Sequence, residues 1–152
     1  MKSLLFIAHT PSQNTALLAA KAAQACTDAT QALELIFKSP QEVEPEDGLK
    51  CDGLILGTLE NIGYMSGMTK DMFDRCYNDW LDRQAGLPTF IYIRAGHDGT
   101  ATSKALSAIA TGLRWRLIAP PLCLRGGFSP DFPDTLAEQT GGFAAGLEAG
   151  IF

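Results

Sequence analysis

The residues best suited to chemistry in this chain carry hydroxyls, amides and backbone freedom rather than charge. Thr10-Pro11-Ser12-Gln13-Asn14-Thr15 lies between an apolar run and an alanine-rich segment, and none of its side chains is basic. A helix starting there would leave its first N–H groups unpaired, at the positive end of the helix dipole. Joined by the hydroxyls of Thr10, Ser12 and Thr15, such amides suit a phosphate monoester held without lysine. An ordinary turn closed by a helix cap fits this loop equally well. Neither the G-x-x-x-x-G-K phosphate loop nor the G-x-G-x-x-G dinucleotide fingerprint is present.

Two other stretches have comparable promise. Gly57-Thr58-Leu59-Glu60-Asn61-Ile62-Gly63-Tyr64-Met65-Ser66-Gly67 frames an aromatic residue with flexible ones. Its backbone could run along a planar heterocycle while Tyr64 stacks; the plainer reading is a surface loop ending in a helix cap. Arg94-Ala95-Gly96-His97-Asp98-Gly99 contains two glycines that permit close backbone approach, or it is a simple strand-to-helix turn. Histidine side chains in general change charge near neutrality, so His97 is a candidate proton donor, set against its reading as a solvated loop histidine. His9 ends an apolar strand and is expected to pack or to cap the first loop.

The elements that must position these loops alternate. Leu4 to Ala8 is a continuous apolar run, as a strand covered on both faces requires. A helix is expected from about Thr15 to Ala25, entered through Ser12 or Asn14 as cap. Leu33 to Phe37 reads as a strand, and Ser39 to Lys50 holds at most a short helix. Gly53 to Leu56 is a third strand. Met65, Met68, Met72, Cys76 and Trp80 then recur at steps of three and four, the inward stripe of a helix starting near Ser66. Phe90 to Ile93 is a fourth strand, followed by a helix with Leu106, Ile109, Ala110 and Leu113 on one face. Leu117 to Leu124 is a fifth, interrupted by Pro120-Pro121, which confines it to a sheet edge or a bulge. A last helix begins near Pro133, weakened where Gly141, Gly142 and Gly146 are exposed.

This is βα repeated five times, which calls for a parallel sheet with helices on both faces. The expected strand order is 2-1-3-4-5, and residues 1–152 read as one domain. In such sheets ligands sit beyond the carboxyl ends of the strands, at the point where the order reverses. The three candidate loops all fall at that end.

Composition narrows the function. Twelve Lys and Arg stand against 17 Asp and Glu, for a net charge of −5. That disfavours nucleic acid as the main partner, and it means a phosphate must be held by local donors. No apolar run approaches the roughly 20 residues of a membrane span. The start of the chain reads as a buried strand rather than a signal peptide. Cys26, Cys51, Cys76 and Cys123 are scattered, which suggests free thiols in a reducing cytoplasm and no metal site. Serine hydrolysis would need G-x-S-x-G, and a receiver domain would need acidic residues where His9 and Thr10 stand.

The stretch from Gly57 to Arg75 resembles the second flavin loop and following helix of the flavodoxin-like NAD(P)H-dependent oxidoreductases, which include FMN reductases and WrbA-type quinone reductases. Gly57-Thr58-Leu59-Glu60-Asn61-Ile62-Gly63-Tyr64-Met65-Ser66-Gly67 and Lys70-Asp71-Met72-Phe73-Asp74-Arg75 carry the likeness. The loop from Thr10 to Thr15 is similar to the family's phosphate loop. The resemblance implies a flavodoxin-like three-layer α/β sandwich with FMN as cofactor and NAD(P)H as reductant. Thr10, Ser12, Gln13, Asn14 and Thr15 would hold the phosphate. Thr58, Glu60, Asn61, Ile62, Gly63, Tyr64 and Met65 would line the isoalloxazine, with Ala95, Gly96 and Gly99 at its other edge. Tyr64 and His97 would be the residues nearest the chemistry. Arg94, turned inward, would favour charge on the reduced ring, and Glu60 and Asp98 would oppose it.

The partner implied is a quinone or similar small acceptor, with a homodimer compatible. The alternative is an electron carrier of the flavodoxin type that docks on redox proteins; a third is a module that has lost its flavin. Leu59 stands where a proline is usual, and Gln13 where glycine is common. The long insertion of WrbA-type members is missing, so their tetramer and substrate pocket do not carry over.

Overall fold

The computed structural model describes residues Met1–Phe152. Five parallel strands form its sheet: β1 (Ser3–Ala8), β2 (Glu34–Lys38), β3 (Gly53–Asn61), β5 (Pro88–Ala95) and an edge strand in two pieces, β6 (Arg116–Leu117) and β7 (Leu122–Arg125). The order is β2-β1-β3-β5, with β6 and β7 pairing with successive parts of β5. Counting the split strand once, this is the expected 2-1-3-4-5. Pro120 and Pro121 fall in the gap between the two pieces, on the edge, where missing N–H donors cost no ladder bond. The helices are α1 (Gln13–Asp28), the short α2 (Pro45–Lys50), α3 (Gly67–Trp80), α4 (Thr100–Gly112) and α5 (Phe132–Glu148).

Alternate residues of each central strand feed two cores. Leu5, Ile7, Leu54, Leu56, Ile91 and Ile93 pack under α3 and α4, against Met72, Phe73, Cys76, Trp80 and Leu106. Leu4, Phe6, Ile55, Phe90 and Tyr92 pack under α1 and α5, against Leu18, Cys26, Leu136, Phe143 and Leu147. Both faces are covered, so the strands show no alternation of apolar and polar residues.

Three expectations are adjusted. Met68 is 39% exposed and leaves the inward stripe, which is completed by the aromatic trio Phe73, Trp80 and Trp115. Gly141 and Gly146 are buried: a Cβ at Gly141 would press on the Ala25 carbonyl oxygen at 3.3 Å, and one at Gly146 would lie 2.5 Å from the Phe152 ring. Only Gly142 faces open space. The largest change is at β3. The expected loop after Leu56 is a hairpin: β3 continues to Asn61 and returns as β4 (Tyr64–Met65), pairing Glu60 with Met65 and Asn61 with Tyr64.

Candidate functional site

The first loop is built by its own side chains. Ser12 caps α1, its Oγ accepting from Thr15 N–H at 3.2 Å, while Thr15 Oγ1 accepts from Ser12 N–H at 3.0 Å. Thr15 also donates its hydroxyl hydrogen to the Ser12 carbonyl at 3.0 Å and is 9% exposed. Its role is thus to hold the turn rather than to face outward. Pro11, Ser12, Gln13 and Asn14 are exposed, and no other part of the chain covers them. Gln13 and Asn14 occupy the first helical positions, where backbone N–H groups have no partner inside the helix. No acidic residue stands in that turn to compete with an incoming anion.

The second segment is the hairpin. Its two turn residues, Ile62 and Gly63, have φ of +52° and +73°. Positive φ at both central residues is the geometry that suits the twist of paired strands. Gly63 takes it without strain; Ile62 is β-branched and does not, at a cost on the order of 1–3 kcal/mol. Ile62 is also fully exposed. Tyr64 is 40% exposed, whereas Met65 is buried in the core under α3 and α4.

The third segment, Gly96 to Gly99, turns β5 into α4. Gly99 has φ of +69°. Asp98 Oδ1 accepts from Thr100 N–H at 3.0 Å, and that bond holds its carboxyl below the usual carboxylate range. Ala95 and Gly99 are buried; Gly96 and His97 are exposed.

These placements bring part of the expected set together. Glu60, Asn61, Ile62, Gly63, Gly96 and His97 line one open cleft of about 530 Å³. A Cβ added at Gly63 or Gly96 would meet no protein atom, so both edges of the cleft are bare backbone facing free space. Glu60 is the one carboxylate of that lining, and neither Lys nor Arg belongs to it. Thr10 lies apart, in a shallow apolar groove with Ala16, Ala19, Ala20, Ala23 and Phe37. Thr58 and Met65 are buried and do not line the cleft.

Arg94 does not turn toward the cleft. It donates to the carbonyls of Ala95 and Leu124 and lies over the rings of Phe128 and Phe132, 5.8 and 5.3 Å from their centroids. Its charge stays on the α5 side of the sheet. Arg75, within the family-like stretch, likewise has a structural partner set: the carbonyls of Val43 and Pro40, with Asp71 on the same helix.

Sequence reasoning missed one cluster. Thr58, Ser66 and Thr69 form a buried hydroxyl group, with Thr69 Oγ1 2.7 Å from Thr58 and 2.8 Å from Ser66. His9 joins it through Nδ1, 2.9 Å from Ser66 Oγ, so it bonds the start of α3 rather than the first loop. The signal available was the Ser66-x-x-Thr69 spacing at a helix start beneath a polar residue ending an apolar strand.

Solved structures of like fold are numerous. A WrbA-like flavodoxin from Agrobacterium tumefaciens superposes with a TM-score of 0.75 at 15% identity, over 98% of this chain and 99% of the other. Flavodoxin 1 from Bacillus cereus does so with a TM-score of 0.73 at 13% identity, over 94% and 97%. The flavodiiron protein of Giardia intestinalis gives 0.76 at 10% identity; nearly all of this chain, 98%, matches 36% of that longer one. No protein-family model and no curated protein sequence matches the chain. The fold is therefore flavodoxin-like, a three-layer α/β sandwich. No helix is long and apolar enough to cross a membrane.

Proposed function

We propose that this chain binds FMN and is an NAD(P)H-dependent oxidoreductase that passes electrons to a quinone or a similar small acceptor. What supports this reading is that the uncovered amides of Gln13 and Asn14 follow β1, and the cleft between the hairpin and Gly96 follows β3 and β5, all at the carboxyl ends of adjacent parallel strands. An anion cradle beside a bare-backbone slot fits a phosphorylated planar heterocycle. The WrbA-like flavodoxin and flavodoxin 1 named above share the fold at full length and are consistent with it.

Bound FMN would supply hydride and single-electron transfer; the protein supplies binding, orientation and electrostatics. Ser12, Gln13 and Asn14 hold the ester by hydroxyl and backbone N–H, and Thr15 keeps that turn closed. Asn61, Ile62, Gly63 and Gly96 shape the slot for the ring, and Tyr64 stands at its rim to stack. Glu60, unbalanced by any cation in the lining, opposes added negative charge and lowers the reduction potential. His97, exposed on the cleft wall, is placed to give a proton to an acceptor. Arg94 is engaged elsewhere and does not offset Glu60. The four cysteines are free, as a reducing cytoplasm would keep them.

The carrier reading has its own support. Ile62, Tyr64 and Met68 are exposed apolar residues at or beside the hairpin, on a chain of net charge −5. Such a rim suits docking on a basic redox partner. One preparation separates the two. The purified protein should be yellow, or take up FMN on addition; a colourless protein that cannot be reconstituted defeats both readings. Anaerobic NADH or NADPH should then bleach the flavin rapidly. A yellow protein that neither nucleotide bleaches is a carrier.

A further inference from the structure

β2 is the outer strand of the sheet, and only one of its sides is paired. Glu34 N–H donates to the Lys2 carbonyl at 2.9 Å, and the parallel register runs from Ser3 beside Glu34 to Ile7 beside Lys38. In such a ladder alternate residues turn both backbone groups to the neighbour, so Glu34, Ile36 and Lys38 face β1. Leu35 and Phe37 therefore turn their N–H and C=O groups away from the sheet. None of the protein's turns, loops or caps supplies them a backbone partner. An uncovered row of this kind is a template for another strand.

The side chains make this edge apolar at its centre and charged at its ends. Phe37 is 46% exposed and Leu35 half-buried. Phe37 rests on Phe6, ring centroids 5.2 Å apart, on the α1 face of the sheet, and borders the shallow groove lined by Ala16, Ala19, Ala20 and Ala23 of α1. Edge strands are ordinarily blunted by proline, a bulge or unopposed charge. Here the strand reads Glu34-Leu35-Ile36-Phe37-Lys38, with opposite charges at its two ends. Laid antiparallel against its own copy about Ile36, it sets Glu34 opposite Lys38 and Leu35 opposite Phe37. Lys38 gives hydrogens to both Asp47 carboxylate oxygens at 2.8 Å and has a third to offer. A shift of one residue would oppose outward to inward backbone groups, and a shift of two would leave the charges unmatched.

We propose that the free edge of β2 is a self-pairing surface, on which two copies of the chain join antiparallel about a twofold axis at Ile36 and continue one sheet through both. Leu35 of each copy exchanges both backbone bonds with Phe37 of the other, and Glu34 of each faces Lys38 of the other. The contact is isologous, the same residues serving both sides, so it closes at a dimer. Residues directly opposite on paired strands share a face, so Leu35 of the second copy adds to the apolar rim of the α1 groove beside Phe37. The cleft beyond β3 and β5 lies inward of β1, and pairing at β2 does not cover it. The inference is independent of the flavin reading.

Sedimentation of the full chain and amide hydrogen exchange test the pairing together. Between low-micromolar and high-micromolar protein the wild type should pass from monomer to dimer. Over the same range exchange at the Leu35 and Phe37 amides should slow about tenfold, a readout that needs no variant to fold. Glu34→Lys changes an exposed residue and opposes like charges at both ends of the pairing. It should raise the dissociation constant of the dimer about tenfold and leave the urea midpoint of the dilute protein unmoved. Lys38→Glu alone should also weaken pairing, and the two variants mixed in equal amounts should pair again, because opposite charges then meet at both ends. A wild type that stays monomeric at high-micromolar concentration overturns the proposal and leaves the edge to a strand of another protein. A dimer whose Leu35 and Phe37 amides stay unprotected, or whose dissociation constant Glu34→Lys leaves unchanged, puts the interface elsewhere and overturns it as well.

Discussion

The first loop and the hairpin serve the same sheet edge but are held in opposite ways. The turn from Ser12 to Thr15 is closed by bonds between residues three apart, and every one is local. The hairpin carries a strained residue at its tip and is secured from below by Thr58, Ser66, Thr69 and His9, which come from three elements. A local device can be rebuilt whenever the helix forms. A long-range joint exists only once β1, β3 and α3 are docked. The contrast places the more deformable wall of the site, and the costlier one to maintain, at the hairpin.

The largest effect should come from cutting the joint. Thr69→Val keeps the shape but removes the hydroxyl that both Thr58 and Ser66 use. Leaving buried partners unpaired should cost about 2 kcal/mol in urea unfolding. A loss below about 0.5 kcal/mol would show that the joint does not hold the hairpin. Ser12→Ala tests the local device. It removes the cap of α1 and should cost about 1 kcal/mol, with weaker FMN binding as a second readout. If the two costs are equal, the contrast between local and long-range support fails.

Ile62→Gly should act in the opposite direction. It removes a β-branched residue from φ of +52°, in a side chain that touches nothing, and should stabilise by up to about 1 kcal/mol. A destabilised variant would mean that Ile62 is packed in solution. The smallest effect is that of pH on the flavin-free protein. Burial lowers the His9 pKa from its ordinary 6.5, so below that value the unfolded chain takes up a proton more readily than the folded one. Stability should therefore fall as pH drops through about 6.5, until the folded-state pKa is passed. His9→Asn should flatten that part of the profile; an unchanged slope assigns it to carboxylates instead.

What could be read from the sequence follows the same division. Ser12 was legible as a cap because capping is a matter of residue type and spacing. The strand order and the edge position of Pro120-Pro121 were legible because both-face burial and a missing N–H donor leave marks in the sequence. The hairpin was not. Leu59, Glu60 and Asn61 carry no strand pattern, and Ile62 at a left-handed position contradicts the preference of its side chain. Backbone pairing with Tyr64 and Met65 overrode local preference there. Arg94 illustrates the other failure: its place beside the third loop was evident, but not whether its long side chain would reach over the end of the sheet to the cleft or lie back along the α5 face. The aromatic rings of Phe128 and Phe132, some 30 residues on, decided which.

The order of apolar runs, the caps and the chain breakers thus determined by themselves that this chain forms a doubly covered parallel sheet with its polar and glycine-bearing loops gathered at the carboxyl ends of the strands. Hydrophobic burial and helix-end satisfaction depend on composition over short spans, and a single sequence displays them. Only the tertiary structure decided which polar side chains meet. It buried Thr58 among hydroxyls instead of in the cleft wall, kept Arg94 out of the cleft and tied His9 to Ser66. Those outcomes depend on hydrogen-bond directions between residues dozens of positions apart, and they do not exist until the layers have packed.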